Sequence, residues 1–297
     1  MSRDSADRPD PTSRSQLRAL FREHGFRPRR RFGQTFLVDA NIVRKIVGVA
    51  DLSGGEPVLD VGAGAGAVTR VLAERARRVV AIEIDPTLVA ILGETVGEGA
   101  EIVRADVLEV DWAGLLGDEG AGSWRVVANL PYAITGPAIL RLMDARQWLD
   151  RLVIMVQEEV AERLVAGPGV RARGMLTVML EAVCEKNLVA RVPRTCFWPR
   201  PRVDSAVVAL TVRRPALVSE ELEPVFRQVV KAAFGSRRKT LANALARAAL
   251  LESAKEEVEA CLSESGIEAR RRAESLSAEE FVALAAAVSR RQRGGGT

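Results

Sequence analysis

Asn129-Leu130-Pro131-Tyr132 sets an amide, a proline and the only tyrosine of the chain directly after the apolar run Val126-Val127-Ala128. That run reads as a buried strand, so the tetrapeptide falls at a carboxyl end, the edge at which open α/β sheets hold ligands. These residues offer acceptors and a ring face, with no group that titrates near neutrality. The acceptors are the Asn129 side-chain oxygen and a backbone carbonyl of Leu130 or Pro131. Such a set suits the exocyclic amine of an aromatic base, whose lone pair is delocalised into the ring. Two acceptors on its two N–H groups would localise that pair and aim it. Pro131 brings no competing N–H and stiffens the turn. Tyr132 can stack on an extruded base, with Phe197 as the opposite face. Alignment alone can then lower a barrier by up to ~7–11 kcal/mol. A strand followed by an ordinary proline turn would look the same in isolation, and Phe197-Trp198 could equally be a hydrophobic corner.

The elements upstream decide what the tetrapeptide would face. Pro57-Val58-Leu59-Asp60-Val61 reads as a strand that runs into Gly62-Ala63-Gly64-Ala65-Gly66, and a helix with Val68, Val71 and Leu72 on one face follows. Glycines at that point let the backbone pass close to a ligand at a helix N-terminus. A second strand over 79–82 ends in Glu83, 21 residues after Gly62, placed to accept from both hydroxyls of a ribose. Gly62, Gly64 and Ala67 also fit the dinucleotide fingerprint, so NAD competes at this point. A third strand over 101–104 ends at Ala105-Asp106. Asp106 can accept from the exocyclic amine of an adenine ring, with Val107 beside the ring. A methyl donor that carries adenosine needs that ribose acid and that adenine acceptor, and has no pyrophosphate. Hydride transfer normally adds a general acid such as His or Lys, and none stands at the matching strand ends. The balance favours S-adenosyl-L-methionine.

Strands over 126–129 and 152–156 continue the alternation with helices. The pattern predicts an α/β fold with a doubly wound, Rossmann-like parallel sheet. Asp85-Pro86 reads as a helix start, and Asp39 as the N-cap of a helix with Ile42, Val43, Ile46 and Val47 on one face. Gln34 and Gly33 just before that helix could close over a ligand or simply pack. Strands over 188–192 and 206–212 are expected as an antiparallel pair that extends the sheet. Beyond Pro215 the pattern is all helical. The expected layout is a flexible basic tail over 1–30 with a short helix over about 16–24, the α/β domain over 31–214, a smaller all-helical domain over 215–290 and a basic tail over 291–297.

With 47% hydrophobic residues and a mean hydropathy of +0.04, the 297-residue chain has the composition of a soluble globular protein. No run reaches membrane length, and the charged N-terminus has no apolar leader core. Cys184, Cys196 and Cys261 form no metal or disulfide spacing, which fits a reducing cytoplasm. With His24 the single histidine, His-based catalysis and a metal centre are not expected. Charge is segregated. Residues 1–31 hold nine Arg against four acids, residues 51–130 six Arg against fourteen acids, and residues 188–251 twelve Arg or Lys against four acids. Basic flanks around an acidic middle are the footprint of a phosphate-backbone partner.

These segments together resemble the ribosomal RNA adenine dimethyltransferases, in the branch that dimethylates two adjacent adenines near the 3′ end of small-subunit rRNA. The resemblance runs from residue 31 to about residue 284. It rests on Phe32-Gly33-Gln34-Thr35-Phe36-Leu37, Leu59-Asp60-Val61-Gly62-Ala63-Gly64, Glu83-Ile84-Asp85 and Asn129-Leu130-Pro131-Tyr132. Phe197-Trp198-Pro199-Arg200-Pro201-Arg202-Val203-Asp204-Ser205, the 234–245 segment with Arg237-Arg238-Lys239-Thr240-Leu241, and Arg272-Ala273-Glu274-Ser275-Leu276 add to it. Thr35 stands where the family usually has Asn, and Phe32 where it usually has Leu.

The resemblance implies a class I methyltransferase sheet and S-adenosyl-L-methionine as cofactor. It carries donor contacts over to Gln34, Thr35, Leu37, Gly62, Glu83, Asp106 and Asn129, beside which Gly64, Ile84 and Val107 complete the expected donor pocket. Asn129, Leu130, Pro131, Tyr132 and Phe197 are the expected catalytic set. Arg29, Arg30, Arg31, Arg200, Arg202, Arg237, Arg238 and Lys239 are expected to meet rRNA. The expected partner is rRNA within a small ribosomal subunit or its precursor, met by a cytoplasmic monomer with no membrane association and no metal. Two other readings remain. One is the sister branch, which methylates one adenine of large-subunit rRNA and confers macrolide-type resistance. The other is a non-catalytic RNA-binding assembly factor.

Overall fold

The computed structural model describes residues 8–29, 33–236, 238–248, 250–251 and 255–294. In chain order the first elements are α1 (Arg14–Glu23), β1 (Phe36–Leu37), α2 (Ala40–Val49), β2 (Pro57–Val61), α3 (Ala67–Ala73), β3 (Arg78–Glu83), α4 (Pro86–Val96) and β4 (Glu101–Arg104). Then come α5 (Trp112–Leu116), β5 (Trp124–Asn129), α6 (Thr135–Asp144), β6 (Leu149–Gln157), α7 (Glu158–Val165), α8 (Met175–Val183) and β7 (Cys184–Val192). The chain closes with β8 (Phe197–Trp198), β9 (Ser205–Val212), α9 (Glu223–Phe234), α10 (Leu241–Arg247), α11 (Glu256–Glu264) and α12 (Ala278–Gly294).

Seven strands form one sheet in the order β4-β3-β2-β5-β6-β9-β7. The pairs β2–β3, β3–β4, β2–β5 and β5–β6 are parallel, and β9 runs antiparallel to β6. The two late strands both join beyond β6, and β9 lies between β6 and β7. All five residues of β2 are buried, as the continuous apolar run requires of a central parallel strand. On the far edge, β4 has no fully buried residue. Because β2 has β3 on one side and β5 on the other, the winding direction reverses there, and a crevice opens at the carboxyl ends of those strands.

Two helix starts follow from their caps. The Asp39 side chain accepts from Asn41 N and Ile42 N, and the Asp85 side chain from Thr87 N and Leu88 N, with Pro86 at the first helical position. No helix among the described residues is long and apolar enough to cross a membrane.

The flexible tail expected over 1–30 is corrected from Arg8 onward. Leu17, Leu20 and Phe21, spaced along one face of α1, are buried with Phe26 and Phe36 against Ala65, Leu88 and Ile91. Phe21 meets Phe26 and Phe36 edge-on, with ring centroids 4.7 and 4.8 Å apart. The basic tail expected from residue 291 is likewise helical to Gly294, because α12 continues through it.

The chain divides into two compact units, Met1–Ala161 with Asn187–Thr211, and Glu162–Lys186 with Val212–Thr297. Residues 162–186, expected in the sheet domain, therefore group with the C-terminal helices, where α8 packs on α9 and α12. The chain leaves the sheet after β6 and returns through β7, so no single cut in the sequence could mark the boundary.

The helical unit is knitted by one buried ionic cluster. Arg173, with no exposed side-chain surface, donates to the Leu276 carbonyl (3.1 Å), the Ala166 carbonyl (2.8 Å) and both Glu181 oxygens (2.8 and 3.1 Å). Lys186 adds bonds to Glu181 (2.8 Å) and to the Thr177 carbonyl (3.1 Å). Burial works against a charge on Glu181, yet the bonds from Arg173 and Lys186 hold its carboxyl down at about 2. Burial also lowers Lys186 despite its acidic partner. We expect Glu181→Gln to cost ~3 kcal/mol at neutral pH, because it strands a buried guanidinium. A carboxyl depressed in the folded state stabilises above its unfolded value, about 4.3, and that contribution fades as pH falls toward the folded value. Urea unfolding of wild type and variant should therefore differ most at neutral pH and converge by about pH 2.

Candidate active site

Strand register sets the site. Val61 is level with Ile82 on one side and Ala128 on the other, and Glu83 is level with Arg104. Gly62, Glu83 and Asn129 therefore leave three adjacent strands at one height, with strands about 4.8 Å apart, and Asp106 follows the next strand outward. A cavity of about 470 Å³ opens on this edge, a size that suits a nucleoside-bearing ligand. Gln34, Thr35, Leu37, Gly62, Gly64, Glu83, Ile84, Asp106, Val107 and Asn129 all line it, as do Leu130, Pro131 and Tyr132. The structure thus gathers the whole expected donor set in one place.

Close backbone approach explains two of the glycines. Gly62 has φ +74°, and a Cβ there would lie 3.2 Å from the Asn129 carbonyl oxygen and 3.8 Å from Pro131 Cδ. Gly33, at φ +67°, passes so near Tyr132 that a Cβ would stand 3.4 Å from its nitrogen. The glycine loop and the segment before β1 are therefore laid directly on the tetrapeptide.

The acids are held by backbone amides. One Glu83 oxygen accepts from Gly64 N (2.9 Å), and the other from Ile84 N (2.9 Å) and Asp85 N (3.0 Å). Burial raises the Glu83 pKa, and those three N–H bonds oppose the rise. Asp106 Oδ1 accepts from Leu108 N (2.9 Å), which closes an Asx turn; Asp106 lines the cavity, and Oδ2 is the oxygen that this turn does not use. Asp60, only 1% exposed, also lines the cavity and accepts from Thr69 Oγ1 at 2.6 Å. Burial pushes its carboxyl up to about 7, against the Thr69 bond and with help from the neighbouring charge of Glu83. Asp60 was not among the expected site residues, although an acid inside an apolar strand was signal enough.

At the tetrapeptide, Leu130 N still pairs with the Met155 carbonyl (3.3 Å). The Pro131 carbonyl accepts from Ile134 N (3.1 Å) and Thr135 Oγ1 (3.2 Å). The turn therefore uses the Pro131 carbonyl, while the Asn129 side chain and the Leu130 carbonyl have no hydrogen-bond donor among the described residues. Tyr132 Oη lies 2.9 Å from the hydroxyl of Ser205, a fully buried residue that opens β9, and this bond fixes the ring. Thr135 and Ser205 thus support the site from outside the expected set.

Phe197 is placed differently from the expectation. It is 1% exposed, pairs with Leu37 through β8 and β1, and packs in the core with Val43, Ile46 and Val207; it does not line the cavity. An aromatic followed by prolines has the same appearance in either role, and here the hydrophobic corner prevails. Among the expected RNA contacts, Arg29 lines the cavity and its N–H donates to Gln34 Oε1 (2.8 Å). Arg200, Arg202, Arg238 and Lys239 are exposed. Arg30, Arg31 and Arg237 lie outside the described residues.

Comparison with known proteins agrees with this geometry. The chain is 46% identical over 275 residues to the ribosomal RNA small subunit methyltransferase A of Moorella thermoacetica, covering 90% of this chain and 94% of that one. It is 42% identical to the protein of the same name from Geobacillus thermodenitrificans, covering 94% and 97%. Among solved structures it resembles the 23S rRNA methyltransferase ErmE, with a TM-score of 0.65, 28% identity, and 86% of this chain and 99% of that one covered. A dimethyladenosine transferase from Plasmodium falciparum shares the fold, with a TM-score of 0.70, 23% identity and coverage of 86% and 98%. The model of the ribosomal RNA adenine dimethylase family matches residues 25–289, and the chain belongs to that family of methyltransferases.

Proposed function

We propose that this enzyme uses S-adenosyl-L-methionine to dimethylate the N6 amines of two adjacent adenines near the 3′ end of small-subunit rRNA, as a cytoplasmic monomer that acts on a small ribosomal subunit or its precursor. The observation that carries the reading is the row Asp106, Glu83, Gly62 and Asn129 along one strand edge, where adenosine-binding groups and amine acceptors stand side by side. The residues fit the donor. Glu83 is oriented by three amides and would take ribose hydroxyls, Asp106 would give one oxygen to an adenine amine, and Ile84 and Val107 line the same cavity as apolar neighbours for the ring. When bound, the donor supplies a methyl group made electrophilic by the adjacent sulfonium.

On the acceptor side, the Asn129 oxygen and the Leu130 carbonyl would take the two N–H groups of the target amine and free its lone pair, while Tyr132, braced by Ser205, would stack on the base. Leu130 is preferred to Pro131 for this role because the turn already occupies the Pro131 carbonyl. No titrating base is needed, since an alkylated aromatic amine readily gives its proton to water.

The small-subunit target rests on relatives of that name at 42–46% identity, against 28% for the large-subunit enzyme ErmE. Leu241 N also bonds to the Arg271 carbonyl (2.7 Å), which brings the start of α10 beside the Arg272-Ala273-Glu274-Ser275-Leu276 segment on which the resemblance to that branch rests. Mass mapping of methylated adenines after reaction with 30S and 50S particles and naked rRNAs tests the assignment. Paired dimethyladenines in small-subunit rRNA are expected, and a single large-subunit site would overturn it.

Asn129→Ala should reduce methyl transfer by a factor of at least ~100, the scale of losing a preorganised polar group at the reacting centre, while RNA binding persists. Single-turnover rates beside filter binding measure both. Arg238 and Lys239 are exposed just before α10. Their double neutralisation should weaken RNA binding and reduce the slope of log K against log salt by roughly 1–2, as the loss of two phosphate contacts requires. A slope equal to that of wild type would remove them from the interface.

A further inference from the structure

Helix α6 follows the tetrapeptide and is tied to both sides of the site. At its first residue, Thr135 Oγ1 donates to the Pro131 carbonyl (3.2 Å) and so holds the acceptor turn. Further along the same helix, Arg141 Nε donates to the Leu108 carbonyl and Arg141 Nη2 to the Val110 carbonyl, each at 2.9 Å. The remaining Nη1 lies 3.3 Å from Asp144 Oδ2. Leu108 is the residue whose N–H orients Asp106 Oδ1 (2.9 Å), and Glu109 N closes on the Asp106 carbonyl (2.9 Å). One guanidinium therefore grips, at two points, the loop that aims Asp106 and Val107 into the cavity. The ion pair with Asp144 is the weaker part of this arrangement, being longer and near the surface. A planar fork reaching two carbonyls two residues apart is a geometry that lysine cannot reproduce.

We propose that Arg141 is a positioning residue for the adenine subsite of the methyl donor. By fixing the Leu108 and Val110 carbonyls it keeps the second carboxylate oxygen of Asp106 within hydrogen-bond reach of the exocyclic amine. Because Thr135 holds the acceptor turn from the same helix, α6 registers the two halves of the reaction against each other. The inference rests on the donor reading given above and adds to it a residue that touches neither ligand.

The test is discrimination rather than activity. S-Adenosylhomocysteine presents an amine to Asp106, whereas S-inosylhomocysteine presents a carbonyl oxygen that would face the carboxylate. Calorimetric titration of wild type should favour the adenosyl ligand. Arg141→Ala should weaken the adenosyl ligand roughly five- to tenfold, about the worth of one hydrogen bond, and leave the inosyl ligand within about twofold. Arg141→Gln, which keeps a single donor nitrogen, should fall between, and it carries the test if the alanine variant does not fold. Thermal melts run alongside should stay near wild type. Equal weakening of both ligands, or an unchanged ratio, would overturn the role of Arg141. Failure of wild type to bind S-adenosylhomocysteine would instead remove the donor reading, and the inference with it.

Discussion

The level at which β2 meets its two neighbours is the constraint on which the rest depends. Parallel pairing fixes Val61 opposite Ile82 and Ala128, so the next residue on each strand emerges at the same height. A one-residue slip of β5 would turn Asn129 to the other face of the sheet and take the tetrapeptide out of the row. Gly62 makes the register usable, since its missing side chain lets the Asn129 carbonyl lie where a Cβ would be 3.2 Å away. Any larger residue would have to push the two loops apart, and with them the donor and acceptor groups.

The chemistry proposed for this edge relies on oriented neutral acceptors, and the supporting bonds are in keeping with that. The turn consumes the Pro131 carbonyl, Ser205 ties down Tyr132, and three amides saturate the inner face of Glu83. Each device removes a rotational freedom that would otherwise have to be lost during reaction. Positioning of that kind, rather than proton transfer, is the part of catalysis a poor but non-basic nucleophile needs.

Much of this was legible in the residues because it depends on periodicity and on special side chains. Apolar runs ending in Gly62, Glu83, Asp106 and Asn129 announced both the sheet and its functional edge. Less legible were features whose partners are backbone atoms or are distant in sequence. Which of the Leu130 and Pro131 carbonyls the turn itself engages has no side-chain signature; the bonds from Ile134 and Thr135 show that it is that of Pro131. Arg141 looks like any cation on an amphipathic helix until its carbonyl partners, more than thirty positions earlier, come into view. Helix α1 was expected over about 16–24, but its burial was not, because arginines alternate with Leu17, Leu20 and Phe21 and dilute their apolar stripe. Phe197 satisfied both of its readings equally, and burial alone separated them.

The two buried acids beneath the glycine loop divide their work by environment. Burial holds Asp60 near neutrality, where a proton is easily carried, and Thr69 is its hydrogen-bond partner. Glu83 is also pushed upward by burial, but three amide N–H groups favour its charged form. Two full negative charges at this depth would repel each other and raise the cost of the sheet edge. Both acids line the cavity, and Glu83 is the one whose oxygens the loop amides orient. The same amides that orient Glu83 come from the glycine loop and from the start of α4, so the fold of β2–α3 and β3–α4 is itself what sets the electrostatics of the donor pocket.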